Sequence, residues 1–127
     1  RTYVYSTSLP VPVVAAAHAA LLEATDSSYL RDQLWERTKQ LGAALGRQLT
    51  SPIVAVIVGS EEAALKLSRE LLQRGFHVPA IRPPTVAPGS ARLRITLSSA
   101  HSEQDVNDLV HALQQCGVLP RRDISRL

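Results

Sequence analysis

The sequence predicts an α/β (α+β) fold, in which two N-terminal helices precede a small β-α-β-β-α domain. Three observations lead to this prediction. Residues 53–58 form a continuous, mostly β-branched run, which is typical of a buried strand. Apolar and polar residues alternate over 91–97, as they do in a strand with one buried face. Residues 12–48 instead show helical patterns. We expect a mainly antiparallel sheet with helices on one face.

The N-terminal half is predicted to hold two helices after a short extended run at residues 2–5. Prolines are tolerated in the first turn of a helix, and the Ala/Leu-rich segment that follows them predicts a helix over 12–24. Asp26-Ser27-Ser28 supplies a break and an N-cap for a second helix over 29–48. One face of this second helix carries a stripe of leucines at positions 30, 34, 41 and 45. Such an amphipathic helix packs against another element.

The next elements are a strand, a helix and a short strand. The strand over 53–58 leads into a helix for which Ser60 is the predicted N-cap. Gly75 suits the position just after the end of that helix. A second strand follows over 76–81, and it is short because of Pro79.

The remaining elements are a loop, a strand and a helix. The Pro-rich stretch 82–90 predicts an ordered loop, and 91–97 the third strand. Ser102 caps the last helix, with Asp105 at the capping-box position. Apolar residues at i, i+3, i+4 and i+7 continue this helix, and the pattern ends after Gly117.

Composition excludes several classes of protein. The 127 residues carry 14 basic and 11 acidic side chains, and two of the three excess positive charges fall in the C-terminal 121–126 segment. Only five aromatic residues are present, so a stacking platform or basic groove for nucleic acid is not expected. No apolar run approaches about 20 residues, which argues against a transmembrane helix. The single Cys116 forms no internal disulfide and suits a reducing, cytoplasmic compartment.

The most informative side chains lie on the third predicted strand. Arg92, Arg94 and Thr96 share one face there, and Arg82 stands in the preceding loop with Thr85. Guanidinium groups bind carboxylates and phosphates through two parallel hydrogen bonds, so these residues predict a converging cationic site. A solvated sheet face explains the same pattern, and the pattern alone favours that interpretation.

No catalytic group stands out from the sequence. His77 and His111 have no partner at metal-ligand spacing, so no metal site is predicted. His18 and His101 suit packed or polar surface positions. The hydroxyls of residues 6–8 could donate to an anion near a helix start, although Ser and Thr before Pro are also common in turns.

Three blocks resemble the α-oxoamine synthases, which are fold-type-I enzymes dependent on pyridoxal phosphate. The blocks are Tyr-Ser-Thr-Ser-Leu-Pro at 5–10, Arg-Pro-Pro-Thr-Val at 82–86 and Ala-Arg-Leu-Arg-Ile-Thr-Leu-Ser-Ser-Ala-His at 91–101. Within that family, the second and third blocks are most similar to the acyltransferases that condense L-alanine with a pimeloyl thioester in biotin biosynthesis. The resemblance extends to about residue 115.

The resemblance also implies roles for individual residues. Arg94 matches the arginine that binds the amino-acid carboxylate, and Thr85 and Arg82 match a loop that lines the active site and the acyl substrate. Ser6 and Thr7 match hydroxyls that reach the cofactor phosphate across the interface of a homodimer. No catalytic residue is assigned, because the family's Schiff-base lysine lies upstream of the first block.

The same resemblance implies that the chain is the C-terminal part of such an enzyme and is inactive alone. Residues 1–26 would end the large domain and form the first connecting helix, and 27–49 would form the connecting helix. Residues 50–117 would form the small α/β domain, and 118–127 a disordered tail. Its partners would be the rest of the enzyme, a second subunit and the two small-molecule substrates, L-alanine and the pimeloyl thioester. The start at Arg1, without a methionine, fits this expectation.

Two alternatives remain open. Another enzyme of the family, resembling glycine C-acetyltransferase, would use a different amino acid. A stand-alone α/β module that binds an anion or a protein would do no chemistry, and it would be a well-behaved species in solution, whereas a fragment should self-associate.

Overall fold

The computed structural model of the chain describes residues 7–119. The predicted extended run at 2–5, Ser6 and the tail from residue 120 lie outside this range. The described helices are α1 (Val11–Asp26), α2 (Ser28–Leu45), α3 (Glu61–Gln73) and α4 (Glu103–Gln115), and the described strands are β1 (Ile53–Gly59), β2 (Ala80–Ile81) and β3 (Ala91–Thr96). The predicted order of elements is confirmed. None of these helices is long and apolar enough to cross a bilayer.

The chain divides into two compact units, Arg1–Asp32 and Gln33–Leu127. The first unit contains α1, which begins after Pro10 and has a proline in its first turn. Every residue of α1 is exposed, although the helix is rich in valine, alanine and leucine. The backbone N–H of Ser27 donates to Glu23 O, and its hydroxyl donates to Glu23 Oε1, where the chain leaves α1.

The second unit is built on a three-stranded sheet in the order β1-β3-β2. β3 is antiparallel to both neighbours, so β1 and β2 run parallel to each other on either side of it. The helix α3 connects these two parallel strands, which gives a β-α-β unit split by a central strand. The predicted antiparallel sheet is confirmed.

One face of the sheet carries the core. Val54 of β1 and Leu93 and Ile95 of β3 are almost fully buried there. They share one cluster with apolar residues of the helices: Leu41 of α2, Leu71 of α3, and Val106, Leu109, Val110, Ala112 and Leu113 of α4. The leucine stripe of α2 therefore packs as predicted at Leu34, Leu41 and Leu45. Val118 and Leu119, within the segment expected to be a disordered tail, also pack against this cluster.

Side-chain caps begin α3 and α4 as the sequence predicts. Ser60 Oγ accepts a hydrogen bond from the N–H of Ala63 at 3.1 Å. Ser102 Oγ accepts from the N–H of Asp105, whose carboxylate accepts from the Ser102 N–H at 2.7 Å. The second bond completes the capping box.

Two element lengths and one burial pattern differ most from the predictions. β2 contains only two residues instead of six, because the segment before Pro79 leaves the sheet. α2 ends three residues earlier than expected, and Gly46 follows it with a φ of 68°. β1 has the predicted position but only one buried face, since Ile53 is 57% exposed and Ile57 is 67% exposed.

Candidate functional site

Arg94 occupies the middle of the central strand, on the face opposite the core. Its neighbours in sequence, Leu93 and Ile95, are buried, so the pleat turns the Arg94 side chain outward, where it is exposed. Its backbone N–H donates to Pro79 O at 3.0 Å. No side chain within residues 7–119 forms an ion pair or a hydrogen bond with its guanidinium. This leaves the five N–H donors of the group available to a ligand.

A cleft of about 530 Å³ lies beside the second half of β3. It forms because the chain before Pro79 diverges from β3 rather than pairing with it. Arg94 and Thr96 line the cleft together with residues of 75–79 and of the start of α4. Its polar lining residues are Arg94, Thr96, His77, His101 and Asp105, and its apolar ones include Phe76, Leu97 and Leu109. The cleft therefore offers one permanent cation among mixed polar and apolar walls.

Hydrogen bonds within the turn before α4 hold the polar groups at one side of the cleft. His101 Nδ1 accepts from the N–H of Ser98 at 3.1 Å. The N–H and hydroxyl of Ser102 both donate to Asp105 Oδ2, at 2.7 and 2.8 Å, and these bonds lower the pKa of the Asp105 carboxyl. Asp105 is thus a stable anion committed to the capping box.

The other predicted arginines have partners within the chain. Arg92 donates from Nε to Ser90 O at 3.1 Å and from Nη2 to Ser90 Oγ at 3.3 Å. Arg82 lies 4.0 Å from a carboxylate oxygen of Glu61, and both side chains are about half exposed. Neither residue lines the cleft. Of the three arginines that we expected to converge, only Arg94 contributes to it.

Thr85 and Thr7 are both exposed. The N–H of Thr85 donates to Arg82 O in the turn after β2, and Thr85 does not line the cleft. Thr7 belongs to the first unit, and Ser6 lies outside the described residues. The two lysines, Lys39 and Lys66, are exposed on α2 and α3, away from the lining of the cleft.

Neither the cleft nor the presence of His77 and His101 in it was expected from the sequence. His77 and His101 are 24 positions apart, and only the divergence of 75–79 from β3 brings them to one cleft. Pro79 was the available signal, because a proline at that point limits strand pairing.

A comparison with protein-family models matches residues 1–113 to aminotransferase class I and II. The chain belongs to this family. The match covers both units and every element up to most of α4, so the predicted resemblance to a pyridoxal-phosphate enzyme family is confirmed at this level.

Curated relatives of the chain carry the name 8-amino-7-oxononanoate synthase. The chain is 50% identical over 116 residues to the one from Arabidopsis thaliana, covering 91% of this chain and 24% of the relative. It is 46% identical over 121 residues to the one from Saccharophagus degradans, covering 91% and 30%. The chain thus spans about a quarter to a third of the length of these relatives.

Solved structures share the fold. A serine palmitoyltransferase from Sphingomonas wittichii matches with a TM-score of 0.82 at 29% identity, over 91% of this chain and 32% of that one. A serine palmitoyltransferase solved with pyridoxal phosphate matches with a TM-score of 0.83 at 27% identity, over 92% and 32%. An 8-amino-7-oxononanoate synthase from Francisella tularensis has a TM-score of 0.75 at 21% identity, over 91% and 35%, which shows the fold alone.

Proposed function

We propose that this chain is the C-terminal part of a pyridoxal-phosphate-dependent acyltransferase that condenses L-alanine with a pimeloyl thioester, releasing carbon dioxide and a thiol to give 8-amino-7-oxononanoate. The 43–50% identity to relatives of that name over about nine-tenths of the chain supports the proposal. The whole enzyme would be a cytoplasmic homodimer.

The observation that carries the proposal is the guanidinium of Arg94 at the cleft. A carboxylate is a natural ligand for it, since the two groups form paired, charge-assisted hydrogen bonds. Holding the carboxylate fixes the rotation about the bond between the amino nitrogen and Cα, and so the direction of the bond between Cα and the carboxyl carbon. That bond must stand perpendicular to the cofactor ring when carbon dioxide leaves, so Arg94 would act by orienting the amino acid.

The chain's residues fit part of a cofactor site. Thr7 presents an exposed hydroxyl, and with Ser6 it would donate hydrogen bonds to the cofactor phosphate. Pyridoxal phosphate, when bound, would withdraw electrons from the substrate Cα. Thr85 and Arg82 would line the acyl-substrate side of the active site.

Neither lysine of the chain suits a covalent link to the cofactor. Lys66 is 77% exposed and lies 3.9 Å from a carboxylate oxygen of Glu70, and Lys39 is exposed on α2. Such lysines are surrounded by water, whereas a lysine that forms a Schiff base is activated in a desolvated pocket or beside another cation. We therefore expect the isolated chain to be inactive. Titration with pyridoxal phosphate, borohydride reduction and intact-mass measurement should give no single stoichiometric adduct, and one adduct on Lys39 or Lys66 would contradict this.

A chimaera tests the proposed reaction. The matching quarter of the Arabidopsis relative is replaced by this chain, and product formation from L-alanine and pimeloyl-coenzyme A is measured. The Arg94→Ala variant should raise the KM for L-alanine and lower kcat, by about 100-fold in kcat/KM for loss of a charge-assisted pair worth roughly 3 kcal/mol. Arg69→Ala, at an exposed arginine of α3, is the matched control and should leave both constants unchanged. An active chimaera with normal kinetics in Arg94→Ala would remove Arg94 from the site.

A second candidate is a related enzyme that uses another amino acid. The structural match to serine palmitoyltransferases at 27–29% identity supports this second candidate, since those proteins are named for a different amino acid. Comparing L-alanine, glycine and L-serine as donors in the chimaera separates the two. A kcat/KM highest with glycine or L-serine would replace the proposed substrate and keep the role of Arg94.

A further inference from the structure

Ala55 of β1 lies directly opposite Arg94 of β3. The backbone N–H of Arg94 donates to Pro79 O on the far side of β3, at 3.0 Å. The carbonyl of Ala55 accepts from Arg47 Nη2 at the outer edge of β1, at 2.7 Å. Neither residue's backbone groups therefore face the other, which identifies a non-hydrogen-bonded antiparallel pair. In such pairs the Cα atoms are only about 4.5 Å apart and the two side chains are at their closest.

The backbones of Ala55 and Arg94 each form a hydrogen bond on the side that faces away from the other strand. Arg47 bonds the edge of β1 at Ala55, and Pro79 bonds β3 at Arg94. Moving either strand to accommodate a larger side chain at position 55 would strain these bonds. The exposed Arg94 side chain would move instead, because it has no partner within residues 7–119.

The other neighbours of Arg94 on β1 do not compete for the guanidinium. Ile53 and Ile57 stand diagonally to Arg94 on β1, with 57% and 67% of their surfaces exposed, and they offer no hydrogen-bond acceptor. Together with the methyl group of Ala55 they form an apolar floor beside the arginine. A guanidinium on such a floor keeps its donors for a ligand.

We propose that Ala55 is a positioning residue, which sets the place of the Arg94 guanidinium and thereby the KM for the amino-acid substrate. This proposal rests on the proposed function. It adds a residue on a different strand to the carboxylate site. It also explains why a small side chain stands opposite Arg94, although the other residues of 53–58 are all larger aliphatic ones.

Kinetics of the chimaera test the proposal with a graded series. Ala55→Ser, Ala55→Val and Ala55→Leu should raise the KM for L-alanine in that order, by less than twofold for Ser and by tenfold or more for Leu. The KM for the pimeloyl thioester should stay within twofold throughout. Ala43→Leu makes the same substitution at an exposed position of α2 and should change neither constant. Equal changes in both KM values, or none, would overturn the proposal.

A second readout does not depend on activity. Crystal structures of this chain and of its Ala55→Val variant should show the Arg94 guanidinium displaced in the variant, with β1 and β3 in the same register. An unmoved guanidinium would overturn the proposal, whatever the kinetics. A parent chimaera without activity would contradict the proposed function, and the crystal structures would then still decide whether Ala55 sets the place of the Arg94 guanidinium.

Discussion

The helix α1 and the Gln33–Leu127 unit are both rich in apolar residues but use them differently. In α1 no residue is buried, and Val11, Leu21 and others expose half or more of their surface. The Gln33–Leu127 unit buries residues such as Leu41, Leu71 and Leu93 completely. A helix that is apolar on all sides belongs in the interior of a larger protein. The Gln33–Leu127 unit thus contains its own core, whereas the described residues of the first unit leave the apolar side chains of α1 uncovered.

Truncating a core leucine of the second unit should destabilise the chain more than truncating a leucine of α1. Leu71→Ala should lower the free energy of unfolding by about 3 kcal/mol, because it removes a fully buried side chain and leaves a cavity. Leu21→Ala in α1, where the side chain is 65% exposed, should cost less than about 0.5 kcal/mol. Urea unfolding followed by circular dichroism measures both. Similar losses for the two variants would mean that α1 is buried in solution.

Lysine substitutions on α1 should weaken self-association of the chain, if its exposed apolar side chains drive that association. The purified chain should self-associate through its exposed apolar helix, and Val14→Lys with Leu21→Lys should weaken that association at least tenfold, or about 1.4 kcal/mol. Leu72→Lys, at a 58% exposed leucine of α3, is the matched control and should leave it unchanged. Sedimentation velocity over a range of concentrations gives the constants. A monomeric parent chain would favour the stand-alone module.

The helix caps also differ between α1 and the second unit. Removing a cap should lower the free energy of unfolding by less than truncating a core leucine. Ser102→Ala should cost about 1 kcal/mol, because α4 loses its side-chain cap. Pro10, at the start of α1, makes no side-chain cap bond, so Pro10→Ala should have little effect on unfolding of the second unit. Urea midpoints of the two variants against the parent measure both effects.

The capping box also predicts a pH dependence. Hydrogen bonds from Ser102 lower the pKa of Asp105 in the folded chain. The resulting stabilisation is fully present above the unfolded pKa of about 3.9 and is lost as pH falls through the folded value. The urea midpoints of the parent and of Asp105→Asn should therefore differ at pH 7 and converge as the pH falls from about 4 through the folded pKa of Asp105, while Asp108→Asn should follow the parent at every pH. A difference that persists in acid would assign the effect to something other than the carboxylate.

Local signals predicted most of the fold. Ser60 and Ser102 begin helices where their side chains suggested, because a cap depends on residues within one turn of the chain. The alternation over β3 correctly separated buried Leu93 and Ile95 from exposed Arg94. That alternation was enough to place Arg94 on the exposed face of β3.

Non-local contacts limited the rest. The apolar run of β1 predicted burial on both faces, yet Ile53 and Ile57 are exposed, because the run does not reveal what covers each face. The sequence did not indicate which of the three arginines in the loop and strand would have partners within the chain. Arg92 bonds to Ser90 in the turn before β3, and Arg82 pairs with Glu61 at the start of α3. Both contacts depend on how the chain folds around the loop.

Side chains a few positions apart specify the order of helices and strands, their caps and the face of β3 that carries Arg94, so the sequence is sufficient to predict these features. Contacts between distant segments are needed to make β2 short enough to open a cleft and to place Ala55 opposite Arg94. The register between β1 and β3 joins residues about 40 positions apart, and it is selected by how the whole buried face packs rather than by any local pattern.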